Sequence, residues 1–177
     1  MSSEKSRAIV LRLVDFSEFS CVVTLFTEQL GKIAALAKGA RRPKGPFESA
    51  LDLLAICRVV FLHNSSDTLD LLTEAKLETR FRASTRDLSR LYAGYYVAEL
   101  LNELTEIADP HPELFEEALS TLAKLNADAD VLTTIVRFEL TTLRLLGHLP
   151  SWDQCAGCGE VVSGENRLAF GQLAGGV

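Results

Sequence analysis

Two short stretches of this sequence carry residue types that could do chemistry. The first is Lys38-Gly-Ala-Arg41-Arg42-Pro-Lys44, four cations within seven positions. Gly39, Pro43, Gly45 and Pro46 make it a poor strand or helix, so an exposed loop is expected. Such a cluster attracts phosphate backbones by charge neutralisation and counterion release. Phe47 follows the loop directly, and of the aromatic residues in this half it is the best placed to stack on a base. Phe16 and Phe19 fall in an expected loop beside Asp15 and Glu18, and Phe26 shares a strand face with Val22 and reads as core. The second stretch is Cys155-Ala-Gly-Cys158-Gly159. Two thiolates in a tight turn, with two residues between them, form half of a tetrahedral zinc site. A complete ribbon needs a second pair after about 15–20 residues, and no cysteine follows Cys158. His148 stands seven residues before Cys155, an unusual spacing for a zinc ligand.

Catalytic signatures are not found. There is no Gly-x-Ser-x-Gly, no His-Glu-x-x-His and no phosphate-cradling glycine loop. Glu103, Glu106, Glu116 and Glu117 read as solvated helix faces, and Tyr92, Tyr95 and Tyr96 as helix-packing residues. Cys21 and Cys57 sit in strand patterns and read as small buried residues. A binding protein is expected, not an enzyme.

The elements that must position these groups change character along the chain. Arg7 to Val14, Ser20 to Glu28, Gly31 to Gly39, Leu51 to Leu62 and Thr68 to Lys76 read as strands, with Cys21, Val23 and Leu25 on one face and Thr24 on the other. Five short strands in about 75 residues suit a small closed barrel such as the OB-fold, and an SH3-like barrel fits the count nearly as well. From Thr85 the apolar period becomes helical. Helices are expected over Thr85 to Ile107, over Glu113 to Leu125, and from Asp128 or Asp130, either of which can cap, to Gly147. The fold class is therefore α+β: a five-stranded OB-fold barrel over 1–82, an α-helical domain over 83–149, and an incomplete zinc-ribbon-like segment over 150–177.

Charge is divided along the same line. Residues 1–82 hold 12 Lys+Arg and 10 Asp+Glu; residues 83–177 hold 6 and 14. The net charge of -6 thus comes from the helical part, which should avoid nucleic acid and dock proteins. No export core is evident, and no apolar run reaches the roughly 18–20 residues needed to cross a bilayer. A cytoplasmic protein is expected, without a membrane partner and with cysteines as thiols or metal ligands.

Several stretches taken in order resemble one family: Ala8-Ile-Val-Leu-Arg12, Val23-Thr-Leu-Phe-Thr27, Gly31-Lys-Ile33, Ala37-Lys-Gly-Ala-Arg-Arg-Pro-Lys44, Leu71-Leu-Thr-Glu-Ala75, Phe138-Glu-Leu140, Leu149-Pro150 and Cys155-Ala-Gly-Cys-Gly159. The chain is similar to the bacterial RecO recombination mediators. The resemblance implies an OB-fold and helical domain that bind single- and double-stranded DNA, anneal complementary strands and work with RecR, RecF and single-strand-binding protein to load RecA. It implies that Lys38, Arg41, Arg42 and Lys44 contact phosphates and that Cys155 and Cys158 are half of a zinc site. Members usually continue with a second Cys-x-x-Cys and further helices, so the resemblance also implies a chain truncated at its C-terminus, with apolar helical surface left uncovered. The rival readings are an OB-fold, zinc-ribbon RNA-binding transcription or translation factor, and a small hydrolase or transferase.

Overall fold

The computed structural model describes residues 2–42, 45, 47, 50–63, 69–82, 87–127, 129–162 and 168–177. Five strands come first: β1 (Ser2–Ser17), β2 (Ser20–Thr27), β3 (Gly31–Ala37), β4 (Ile56–His63) and β5 (Asp70–Thr79). Three helices follow: α1 (Leu88–Leu104), α2 (Pro112–Asn126) and α3 (Val131–Leu145). Contacts divide the chain into two compact units, Met1–Phe138 and Glu139–Val177.

The strands close into a barrel in the order β1-β2-β3-β5-β4. All neighbours are antiparallel except β3 and β5, which pair in parallel from Ala35↔Asp70 to Ala37↔Leu72. That one parallel seam lets five strands close into the OB-fold's Greek-key barrel. Closure needs β1 to serve two neighbours. Its first half pairs with β4 and its second half with β2, and the register with β2 shifts between Val10 and Arg12. A shift of this kind bends a strand, as a corner requires. Alternate residues fill the interior: Ala8 and Val10, Cys21, Val23 and Leu25, Ile33 and Ala35, Cys57, Val59 and Phe61. Cys21 and Cys57 are buried, as their strand positions suggested. Burial pushes the Cys57 thiol up to about 12, with Glu78 adding to it, and its S–H donates to the carbonyl of Ala50 at 2.9 Å.

One end of this barrel is docked on the helices. Phe26 points outward from β2 yet is fully buried, because its ring meets Phe115 of α2 with centroids 6.0 Å apart. Burying a phenylalanine contributes roughly 1.5–3 kcal/mol. Arg7 lies 5.8 Å from the Phe115 centroid and pairs with Glu116 at 3.4 Å. Gly31, at φ 69°, opens β3 so close to the chain after α1 that an added Cβ would sit 2.2 Å from the Asp109 carbonyl oxygen. Lys32 then donates from Nζ to the carbonyls of Asn102 and Thr105, each at 2.5 Å. A cation on the last carbonyls of a helix satisfies orphan acceptors and complements its dipole.

The helices start and stop on local signals. Asp87 caps α1 by accepting from Ser89 N–H at 2.9 Å. Asp130 caps α3, accepting from Thr133 N–H at 2.8 Å; that hydrogen bonding holds its carboxyl below the usual range. Asp128, the alternative cap, lies outside the described residues. Pro112 starts α2, and Gly147 follows α3 at φ 74°.

The three tyrosines of α1 correct the sequence reading. Tyr92, Tyr95 and Tyr96 are exposed, Tyr92 by 63%. The buried stripe is instead Ala93, Gly94, Val97, Ala98 and Leu101. Close approach decides the choice: a Cβ on Gly94 would meet Phe81 at 2.6 Å and Leu54 at 2.8 Å, so only the small-residue face of α1 fits there.

Candidate nucleic-acid interface

The strand directions place two connections at the barrel end away from this docking. β2 runs from its turn with β1 toward Thr27, and β3 returns from Gly31 to Ala37. The β1–β2 turn and the segment leaving β3 therefore share one end. They are joined by hydrogen bonds: Arg41 N–H donates to the Phe19 carbonyl at 3.2 Å, and Gly39 N–H to Ser20 Oγ at 3.3 Å.

Residues 38–42 form a turn. Arg42 N–H donates to the Gly39 carbonyl at 3.0 Å, and Gly45 N–H to the Arg42 carbonyl at 3.0 Å. Gly39 stands at φ 73°, a left-handed conformation that glycine adopts without strain. Lys38, Arg41 and Arg42 are all exposed, as the loop expectation required. Lys44 lies outside the described residues.

Two of these cations have partners within the protein. The Arg41 guanidinium pairs with the Asp15 carboxylate of β1, both side chains remaining more than half exposed. An exposed pair of this kind is worth only about 0–1 kcal/mol, so a phosphate can compete for the guanidinium. Arg42 lies over the Phe19 ring, 5.6 Å from the centroid. Cys21, opposite Asp15 in the β1–β2 register, registers the same charges. Burial pushes its thiol up, Arg41 opposes this and Asp15 adds to it.

Phe47 does not belong to the surface. It is 3% exposed and packs in the barrel core with Ala50, Ala55 and Cys57. Ala50 N–H donates to the Phe47 carbonyl at 2.9 Å, and the ring lies inside. It has no free face for a base. The exposed aromatics at this end are Phe16 and Phe19, at 64% and 40%. From Arg12 to Ser17 every residue of β1 is exposed, so the β1–β2 hairpin projects from the barrel wall. Simple alternation from the buried Ala8 and Val10 would turn Val14 inward; the register shift between Val10 and Arg12 reverses the faces and sets Val14 opposite the outward Val22.

The outer face below the turn continues the surface. Val14, Val22 and Leu36 stand opposite one another across β1, β2 and β3, with Arg12, Thr24 and Ala34 in the next row. A separate hollow of about 790 Å³ crosses β1, β4 and β5. Its wall holds Lys5, Arg7, Arg58, Glu74 and Lys76 and neither histidine nor cysteine. Beside it Glu78 pairs with Arg7 at 3.2 Å and Arg58 at 2.5 Å. Desolvation opposes ionisation of Glu78, but the hydrogen bonds from Arg58 and Arg7 outweigh it and hold the carboxyl below its usual range. These arginines are engaged in cross-strand pairing.

Cys155 and Cys158 lie in the second compact unit, in a turn closed by Gly159 N–H donating to the Cys155 carbonyl at 2.8 Å. Hydrogen bonds from the backbone of Cys158 and Gly157, and from the Cys158 side chain, lower the Cys155 thiol from its ordinary value. Among the described residues no three His, Cys, Asp or Glu side chains converge as a metal would need. Two sulfurs fill half of a tetrahedral zinc shell, so these residues do not by themselves make a closed zinc site. His148 joins no such group among the described residues.

A closed OB-type barrel with a cationic, aromatic free end, followed by helices, defines the class: an oligonucleotide-binding-fold protein of α+β architecture. Comparison with known proteins narrows this. The family descriptions "Recombination protein O N terminal" and "Recombination protein O C terminal" match residues 1–81 and 85–172. The chain is 52% identical over 169 residues to the DNA repair protein RecO of Rhodopirellula baltica, covering 96% of this chain and 63% of that protein. It is 36% identical over 165 residues to the RecO of Salinibacter ruber, covering 93% and 63%. With the RecO of Anaeromyxobacter dehalogenans strain 2CP-1 it shares 36% identity over 176 residues, covering 99% and 69%. The chain belongs to the RecO family of DNA repair proteins. It spans a little under two thirds of the length of the Rhodopirellula and Salinibacter relatives. No described helix is long and apolar enough to cross a membrane.

Proposed function

We propose that this chain is a non-enzymatic mediator of DNA repair that holds DNA by the free end of its barrel. One observation carries the reading. The helices cover the barrel end at Gly31 and Lys32, while Lys38, Arg41 and Arg42 are exposed at the other end beside two exposed phenylalanines. Cations there attract the phosphate backbone of single or double strands largely regardless of sequence. Lys44 would add a fourth phosphate contact. Holding strands by their backbones leaves bases free to pair, as annealing requires.

Residues 1–82 would bind DNA, and residues 83–149, with their acidic bias, would dock proteins. The partners proposed are RecR, RecF, single-strand-binding protein and, through them, RecA, in a cytoplasmic, nucleoid-associated setting. In the longer family form, zinc held by Cys155, Cys158 and two further donors would stabilise the segment after residue 150.

The test is annealing of two complementary oligonucleotides, followed by fluorescence quenching with the full chain. Acceleration over the uncatalysed rate, lost in Arg41→Ala/Arg42→Ala, is expected. Acceleration of RNA annealing alone would instead favour an RNA-binding factor, and no acceleration of either would reject the mediator reading.

A further inference from the structure

The exposed phenylalanines point to a specificity that backbone contacts alone cannot supply. Phe16 and Phe19 are exposed on the projecting β1–β2 hairpin, and Arg42 lies over Phe19 with its guanidinium 5.6 Å from the ring centroid. The backbone N–H of Arg41 donates to the Phe19 carbonyl, so the aromatic hairpin and the cationic turn are linked. We propose that Phe16 and Phe19 form a stacking platform for unpaired nucleobases, and that this platform makes the barrel end select single strands over duplex. This rests on reading that end as the nucleic-acid interface.

The physical case is one of complementary surfaces. A base in a duplex has both faces covered by its neighbours, and its phosphates are still available to Lys38, Arg41 and Arg42. An unpaired base has a free π-face, and stacking it on an aromatic side chain is worth roughly 1–3 kcal/mol by alanine substitution. Arg42 over Phe19 provides a third planar group, and guanidinium planes stack on bases as well as on rings. Asp15 is paired to Arg41, which reduces its repulsion of an approaching phosphate. A purely apolar protein partner would gain nothing from three exposed cations beside the rings; a strand with both phosphates and free bases uses both. Phe47, buried in the core, cannot substitute for either ring.

The experiment compares three probes of equal length with the full chain: a thymidine single strand, a single strand of abasic sites, and a duplex. The abasic strand keeps the phosphates and lacks the bases. Wild type should bind thymidine at least about tenfold more tightly than abasic strand. Phe16→Ala/Phe19→Ala should lose that difference while its duplex affinity and salt slope stay unchanged. Phe16→Leu/Phe19→Leu keeps apolar bulk without the π-face and should behave like the alanine pair; thermal melting at the wild-type temperature shows that the fold survives. Equal wild-type affinity for thymidine and abasic strands overturns the stacking proposal and leaves the phosphate interface standing. Thymidine discrimination retained by both variants does the same. No wild-type binding to any probe overturns the interface and the platform together.

Discussion

The ammonium of Lys32 donates to the carbonyl oxygen of Thr105 at 2.5 Å, from the second residue of β3 to the C-cap of α1. Its charge serves the fold. Lys32→Met should lower stability by about 1.5–3 kcal/mol, the usual range for a hydrogen bond to a charged group. Chemical denaturation would measure the loss. Affinity for DNA should not change, which separates this lysine from Lys38.

Asp15 acts on the site in the opposite sense. It is the only described carboxylate paired to Arg41, and under the proposed reading a DNA phosphate would compete with it. Asp15→Asn should raise affinity for single strands by a few-fold at low salt, within the roughly 0–1 kcal/mol of an exposed pair. Fluorescence anisotropy checks this; weaker binding would show that Asp15 instead positions Arg41 for the strand.

Phe47 should report on folding. Phe47→Ala removes a buried ring from the barrel core and should cost about 3–5 kcal/mol. Any loss of DNA binding should track the unfolded fraction. A stable variant with selectively weakened binding would contradict the burial.

The cysteines should separate by pH. Burial, with Glu78 adding to it, pushes the Cys57 thiol from the ordinary 9.0 up to about 12. Its folded-state pKa is raised, so its contribution to stability is complete below about pH 9 and is lost as pH rises from there toward about 12. Cys57→Ala should flatten the alkaline fall in melting temperature. Cys155, lowered by hydrogen bonds, should react with a disulfide reagent at neutral pH, while Cys57 reacts only on unfolding.

Much of this was legible from residue patterns. Alternation at Cys21, Val23 and Leu25 gave the inner face of β2, and glycines and prolines placed the basic turn outside. What was not legible depends on distant pairing. Nothing local tells Phe47 to turn inward, since the aromatic after a proline-rich turn has no periodicity to follow. Tyr92 and Ala93 lie on adjacent faces of one helix, and the close approach of Phe81 and Leu54 at Gly94 decides which is buried. Lys32 looked like an ordinary strand cation until α1 ended beside it. Phe16 and Phe19 were visible as aromatics, but their grouping with Arg41 and Arg42 needs the β1–β2 turn and the end of β3 to meet.

The central claim is that the cations at the free barrel end grip phosphates. Single-strand affinity measured across a series of salt concentrations tests it most directly. Each phosphate neutralised contributes about -0.7 to the log-log slope, so Arg41→Ala/Arg42→Ala should weaken binding and flatten the slope by about 1–2 units. A double variant with the wild-type slope would show that the strand lies elsewhere.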